Sequence, residues 1–313
     1  MRRELDALAR EIAWAVPGDL AAAAARLEQS GWPEVVDRWS RLTPTGFPIE
    51  LTVAATGTVR RWTAEIAGPE IADGRRLDMI AAHMAGAGQP VATPLLEQLR
   101  RLQAAGTLRY GAWLGGRPAA DAAACYKLYA EVPRDARFDD TMLPPALRTV
   151  AAHMPRATRV SMIGCEPARG RLELYCRLPV VDAEDLRPVL RAAGCDRGVE
   201  ALDLSLPDGT RRLAGRQLGL SIAVDDSLTP EITLLVSARS LFPGSPRMLH
   251  TLLPGLAAFP MRQSRPTLVA MGMSASASAL TFAVGMTTLP HTSPEFARIE
   301  PGATTKVRPA RNA

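Results

Sequence analysis

The sequence lacks the long apolar segment that a membrane-spanning helix requires. No run of about 18 uncharged apolar residues occurs in its 313 residues. Residues 1–6 include acidic side chains where a secretory signal would continue apolar, and no cleavage site follows. We therefore expect no membrane association and a cytoplasmic location.

Metal-binding and nucleotide-binding signatures are also missing. The four cysteines have no CxxC spacing and lie among apolar neighbours, which predicts reduced core thiols: Cys125, Cys165, Cys176 and Cys195. Three of the four histidines fall on predicted helices and His291 lies near the end, so no ligand cluster is predicted. Neither a GxGxxG nor a GxxxxGK[ST] phosphate loop is present.

Charge is modest and dispersed. The net charge of +5 is spread over many short arginine clusters, whereas nucleic-acid binding needs a focused basic face. This distribution argues against a nucleic-acid partner, although it suits a small anionic ligand. We expect a single domain over residues 1–290, with helices in residues 1–42, and a loose basic tail over residues 291–313.

A predicted β-hairpin organises the beginning of this domain. Residues 47–54 and 58–66 both alternate β-branched or aromatic residues with polar ones, and a Thr-Gly turn separates them. Glu50 and Thr52 share one face of the first arm, and Arg61, Thr63 and Glu65 share one face of the second. The simplest interpretation is a cross-strand ion pair on a solvated sheet face.

The hairpin pattern recurs four more times, with helical stretches between the pairs. The further pairs are 108–115 with 124–132, 159–164 with 170–178, 217–224 with 231–237, and 267–273 with 280–286. Asp19 and Asp182 are predicted N-caps of two of the helices. Sequential strand pairs joined edge to edge give a ten-stranded antiparallel sheet, and such a sheet tends to close. The predicted fold class is therefore α+β, a closed barrel of five αββα repeats with helices outside; two stacked α+β sheets are the alternative.

In a closed barrel, one face of every strand lines the lumen. The polar side chains predicted on that face are Glu50, Arg61, Lys127, Tyr129, Arg171 and Tyr175. Each has a structural explanation by itself. Lys-x-Tyr is common on solvated strands, and Glu50 could serve simply as an ion-pair partner for Arg61. Their recurrence in successive hairpins favours a shared site.

The order of these residues resembles a known family. Pro48-Ile49-Glu50-Leu51-Thr52, an arginine on the returning strand, Lys-x-Tyr in the second repeat and Arg-x-x-x-Tyr in the third are similar to the aromatic prenyltransferases of the αββα-barrel class. The resemblance covers residues 45–290. It is greatest to the indole (dimethylallyltryptophan synthase) type and extends to the cyanobactin peptide prenyltransferases.

The resemblance implies transfer of a dimethylallyl or longer prenyl group from its diphosphate to an electron-rich ring, above all the indole of tryptophan, free or in a peptide. It implies diphosphate binding by Arg61, Lys127 and Arg171. It implies that Tyr129 and Tyr175 shield the allylic cation. Glu50 is implied as the base that accepts the indole N–H.

The sequence departs from the family pattern in the later repeats. Glu173 replaces a lysine of the third repeat, where it would repel diphosphate unless neutralised, turned away or bridged by Mg²⁺. Thr233 and Leu235 in the fourth repeat, and Thr281 or Phe282 in the fifth, stand where polar or tyrosine residues are usual. The need for a metal stays open: the acid pairs 139–140 and 225–226 are predicted to be solvated, but Glu173 could recruit Mg²⁺ to the phosphates. The alternative function is a non-catalytic barrel that binds an aromatic, isoprenoid or peptide ligand.

Overall fold

The computed structural model describes residues 1–117, 124–180, 182–206, 208–242, 247–255, 264–275 and 279–288. The predicted tail over residues 291–313 lies outside the described residues. The ten strands are β1 (Ile49–Ala54), β2 (Val59–Ala64), β3 (Ala112–Arg117), β4 (Cys125–Glu131), β5 (Arg159–Glu166), β6 (Arg171–Arg177), β7 (Leu218–Val224), β8 (Glu231–Ser237), β9 (Ser264–Ser274) and β10 (Thr281–Thr288).

The α-helices of the described residues precede and separate these strand pairs. They are α1 (Arg2–Glu11), α2 (Gly18–Gln29), α3 (Val36–Trp39), α4 (Asp73–Gly86), α5 (Thr93–Ala104), α6 (Pro145–Ala151), α7 (Arg187–Ala192), α8 (Gly198–Ser205), α9 (Ala238–Leu241) and α10 (Arg247–Leu252). Within the described ranges, no helix is long and apolar enough to cross a membrane.

The strands form one closed antiparallel barrel. Each strand pairs with its neighbours in the chain, and β1 pairs with β10 to complete the ring. The closing ladder pairs Leu51 with Met286 and Val53 with Val284. The predicted ten-stranded α+β barrel is therefore confirmed, and no open sheet edge remains among these strands.

Strand alternation separates the hydrophobic core from the lumen. Leu51, Val53 and Trp62 point outward and are almost fully buried in the core cluster that the helices complete. On α4, Leu77, Ile80 and Met84 are the buried stripe that meets this layer. Each such side chain contributes about 2 kcal/mol through burial. The opposite strand faces are thereby left to line the interior.

The structure corrects some local predictions. Asp19 is not a cap, because α2 already begins at Gly18 and its N-cap position is Pro17, without a side-chain hydrogen bond. Asp182 does cap its helical segment, in a reciprocal capping box with Asp185. In the last part of the predicted N-terminal helical region, residues 33–42, the α-helix is only the single turn of α3. The chain after α3 instead runs toward the end of the barrel where β3 begins.

Candidate active site

The barrel encloses a cavity of about 190 Å³ that contains most of the predicted site. Four of the six predicted residues line it: Glu50, Arg61, Tyr129 and Tyr175. A second cavity, of about 410 Å³, is lined by Arg61 and Arg171 and lies where β6 begins. Arg61, Thr52 and Ala270 line both cavities, so the two are neighbouring parts of one lumen.

Glu50 lies on the lumen face of β1, opposite Thr63 of β2. One of its carboxylate oxygens, Oε2, accepts a hydrogen bond of 2.5 Å from the hydroxyl of Thr267 on β9. Burial raises the pKa of Glu50, while the Thr267 hydrogen bond and the charge of Arg61 partly oppose that rise. The carboxyl group is thus held at one oxygen, and its affinity for a proton is increased.

A β-bulge explains how Thr267 reaches Glu50. The β9–β10 register pairs Val284 with Val269 and Met286 with Pro266, so Thr267 and Leu268 both lie opposite Gly285. Bulges of this kind redirect a side chain relative to simple alternation. The glycine is also required sterically, because a Cβ at position 285 would stand 2.8 Å from the Glu50 carboxylate.

Arg61 and Tyr129 connect the two sides of the lumen. Nη1 of Arg61 donates a hydrogen bond of 3.0 Å to the Tyr129 hydroxyl oxygen. The Tyr129 and Tyr175 rings are tilted against each other, with centroids 5.6 Å apart. The predicted arginine and both tyrosines therefore form a continuous wall beside Glu50.

Lys127 is engaged by a carboxylate. Its ammonium group forms a short hydrogen-bonded ion pair with Glu173 and donates to the Tyr175 hydroxyl at 3.0 Å. It also lies 5.0 and 5.2 Å from the centroids of the Tyr129 and Tyr175 rings. Burial opposes ionisation of Glu173, but the charges of Lys127, Arg61 and Arg171 hold its pKa well below the usual range. Glu173 is therefore a buried carboxylate that neutralises part of the predicted cation set.

Arg171 lies between two acids. Its Nη1 contacts Glu231 Oε2 at 2.6 Å, and its Nε lies 3.8 Å from Glu173 Oε2. The side chain is largely buried, and its Nε has no hydrogen-bond partner. Each of the three predicted cations thus faces the lumen, but only Arg61 is without an ion-pair contact to a carboxylate within 4.0 Å among the described residues.

An aromatic cluster covers the end of the lumen where β3 begins. Tyr110 stacks on Trp113 at 5.0 Å between centroids and contacts Trp39 of α3 at 4.9 Å. Leu42 and Trp113 line the smaller cavity directly. The sequence prediction did not include these residues, although tryptophans are conspicuous in a chain with only 5% aromatic residues.

Glu131 and Glu65 lie on strand faces that alternation assigns to the lumen, but both accept hydrogen bonds from the backbone instead. Glu131 accepts hydrogen bonds from the backbone N–H groups of Tyr110 at 2.9 Å and Gly111 at 2.8 Å. Glu65 is fully buried and accepts from the backbone N–H of Arg41 at 3.3 Å. Burial raises the pKa of Glu65 to about 7, although hydrogen bonds and the charge of Arg76 oppose the rise.

The lumen acids do not fit a metal site. Glu173 already binds Lys127 and lies near Arg171, and both cations contact its Oε2. Over the part of the chain that the structure describes, no three His, Cys, Asp or Glu side chains form a metal-binding group. The expectation that Glu173 recruits Mg²⁺ therefore gains no support from its surroundings.

Comparisons with known proteins establish a likeness in fold alone. No family model matches the sequence, and no curated protein matches it. Solved structures do match: the barrel with its helices is the fold of aromatic prenyltransferases.

Three of those structures define the likeness. The 6-dimethylallyltryptophan synthase from Micromonospora olivasterospora, in complex with DMASPP and Trp, has a TM-score of 0.64 at 15% identity, over 93% of this chain and 98% of that one. The 5-dimethylallyl tryptophan synthase from Streptomyces coelicolor has a TM-score of 0.61 at 14% identity, over 98% and 97%. The prenyltransferase PriB has a TM-score of 0.61 at 16% identity, over 92% and 94%.

Proposed function

We propose that the protein is an aromatic prenyltransferase. It moves a dimethylallyl or longer prenyl group from its diphosphate to an electron-rich ring, preferentially the indole of tryptophan, free or within a peptide. The observation that carries the proposal is the meeting of Glu50, three cations and two tyrosines around one lumen, where Glu173 neutralises part of the cationic charge. The solved neighbour in complex with DMASPP and Trp supports this choice of substrates through its shared fold.

The first step breaks the bond between the allylic carbon and the diphosphate oxygen. The electron pair leaves with the diphosphate, and its added negative charge is stabilised by preorganised cationic donors. Arg61 and Arg171 supply these donors, while the ammonium group of Lys127 is paired with Glu173. The hydroxyl of Tyr175 adds a neutral donor; burial and the charge of Glu173 raise the pKa of Tyr175, so its hydroxyl keeps its proton.

The allylic cation must then be kept from water until the ring attacks it. The faces of Tyr129 and Tyr175 attract a cation through their ring quadrupoles. Trp113, Met162 and Leu235 complete an apolar boundary around the smaller cavity. This lining reduces the access of water as a competing nucleophile.

Ring attack forms a carbon–carbon bond and leaves a proton on the attacked carbon. When the indole N–H donates a hydrogen bond to Glu50, the indole ring becomes more nucleophilic. The carboxylate stabilises the positive charge that develops on the ring during attack. The attacked carbon then loses its proton to a base, which restores aromaticity. Glu50 is the proposed base, since Thr267 holds Oε2 while the raised pKa favours proton uptake.

A non-catalytic barrel that binds an aromatic, isoprenoid or peptide ligand is the second candidate. The wall formed by the fourth and fifth repeats includes Leu235, Ala270 and Gly272, which have no reactive side-chain group. This favours ligand binding without catalysis. The buried Glu50 argues against this candidate. Burying a carboxyl group destabilises the protein, and simple ligand binding gives no compensating function for it.

Product mass separates the two candidates. The protein is incubated with dimethylallyl or geranyl diphosphate and a panel of tryptophan, tryptophan-containing peptides and phenols, with and without Mg²⁺. We expect a mass increase of one prenyl group on an indole acceptor. Ligand binding without any prenylated product across the panel would overturn the catalytic proposal and favour the binding barrel.

A further inference from the structure

The larger cavity contains two arginines that the predicted site does not include. Besides Arg61 and Arg171, its lining includes Arg117 at the end of β3 and Arg169 in the turn before β6. We call these four residues the arginine mouth. The single acid that lines the same cavity is Glu231, within the part of the chain that the structure describes.

A buried carboxylate positions the two additional arginines. Glu166 is fully buried and contacts Arg117 Nε at 3.2 Å and Arg169 Nη1 at 4.0 Å. Glu166 does not line the cavity, whereas both arginine side chains do and remain about one-third to two-fifths exposed. Arg169 Nη2 also lies 3.8 Å from Asp225 Oδ2, so acids that do not line the cavity hold both arginine side chains at its wall.

The deeper cation is less suited to bind a multivalent anion. Lys127 has its ammonium engaged by Glu173 and Tyr175. A diphosphate placed there would lie next to the Glu173 carboxylate, and like charges at contact distance in a buried site repel strongly. Arg171, by contrast, lines the larger cavity, where its Nη1 is paired with the more exposed Glu231; its contact to Glu173 is the longer one, at 3.8 Å from Nε.

From these contacts we propose that Arg117 and Arg169 are further ligands of the diphosphate, beside Arg61 and Arg171 in the arginine mouth. The inference rests on the proposed function for its biological ligand. Glu231 occupies the anion position on Arg171 in the free protein, and diphosphate binding displaces it. Thr52, Thr233 and Thr281 add hydroxyl donors on the opposite strands.

The location also orients the donor. A diphosphate in the larger cavity directs its prenyl chain past Arg61, which lines both cavities, toward Tyr129, Tyr175 and Glu50 in the smaller one. The two cavities thereby have different roles. The larger cavity binds the diphosphate leaving group, and the smaller, aromatic cavity holds the allylic cation and the acceptor.

Inorganic pyrophosphate tests this site without requiring turnover. Isothermal titration at fixed ionic strength compares the native protein with Arg117→Gln, Arg169→Gln and Glu231→Gln. We expect each arginine variant to weaken pyrophosphate about tenfold, the lower range for one charge-assisted hydrogen bond. Glu231→Gln tightens binding, because it removes the competing carboxylate. Arg187→Gln, an exposed arginine paired with Glu184 and Glu200, is the matched control and leaves the affinity unchanged.

The outcomes distinguish this inference from the proposed function. Native affinity in both Arg117→Gln and Arg169→Gln, or no pyrophosphate binding by the native protein, would overturn the arginine mouth. The prenyl mass shift decides the reaction separately, so turnover with unaltered pyrophosphate affinity in these variants refutes only the location of the site. Arg169 is exposed and lies in a turn, so its variant keeps the test informative if Arg117→Gln misfolds.

Discussion

The hydroxyl of Thr267 donates to Glu50 Oε2 at 2.5 Å, although the two residues are 217 positions apart. They belong to β9 and β1, which are separated in the barrel by β10. The contact passes over Gly285, where the absence of a side chain leaves the required space. The geometry of the proposed base therefore depends on three strands from opposite ends of the chain.

Replacing the carboxylate tests the base itself. Glu50→Gln keeps the size of the side chain but cannot take up a proton, so we expect turnover to fall at least about a hundredfold. Folding is retained, because the amide still accepts the Thr267 hydrogen bond. Product formation by mass spectrometry and the urea midpoint measure the two effects, with Glu97→Gln on the exposed face of α5 as control. Normal rates in Glu50→Gln would refute the assignment.

The Thr267 hydrogen bond predicts a pH effect. Glu50 must be ionised to accept a proton, so activity rises with pH through its raised pKa. Thr267 lowers that pKa, and Thr267→Val therefore moves the rising limb of kcat against pH to higher pH. Thr267→Ser restores the native profile because it keeps the hydroxyl. Thr149→Val, which removes an exposed hydroxyl from α6, is the control; a Thr267→Val profile that superimposes on the native one would exclude the positioning effect.

Glu173 is predicted to stabilise the folded state. Glu173→Gln leaves Lys127, Arg61 and Arg171 mutually repelling in the lumen, and breaking such a buried pair costs about 3 kcal/mol or more. Because the folded pKa is depressed, this contribution is present above pH 4.5 and is lost as pH falls toward the folded value. Urea unfolding at several pH values measures the change. Lys127→Met in the same background recovers part of the stability; no recovery in this double-mutant cycle would indicate that the pair is not coupled.

Glu65 has the opposite effect on stability. Its pKa is raised from 4.5 to about 7, so the folded state loses stability as pH rises through this interval. The shift corresponds to about 3 kcal/mol at 1.36 kcal/mol per pKa unit. Between pH 5 and pH 8, chemical unfolding should show the difference in unfolding free energy between Glu65→Gln and the native protein moving by most of that amount, about 2.5 kcal/mol, in favour of Gln. An equal difference at both pH values would mean that Glu65 titrates normally.

The alternation of apolar and polar residues was sufficient to predict the barrel and the faces of its strands. Glu50, Arg61 and Tyr129 all lie on the lumen side, as the period of two requires. Residues two positions from the centre of a hairpin arm were also predicted on the correct strand, because the pairing register changes little along a short hairpin.

The remaining features depend on geometry that alternation does not encode. Thr267 shares a face with Val269 by simple counting, and only the bulge opposite Gly285 turns it toward Glu50. Arg117 and Arg169 are at strand ends, where periodicity gives no direction. The pairing of Glu173 with Lys127 could not be inferred from either hairpin alone, since it joins side chains on β4 and β6 across β5.

Closure between β1 and β10 has a consequence for biosynthesis. The strand that carries residue 50 leaves the ribosome well before its final partner, β10, which emerges more than 200 residues later. A growing chain can form local hairpins early, but it remains an open sheet with two unpaired edges until β10 has emerged. Ending the protein before residue 281, where β10 begins, therefore leaves the barrel open, and no partially competent fragment is expected.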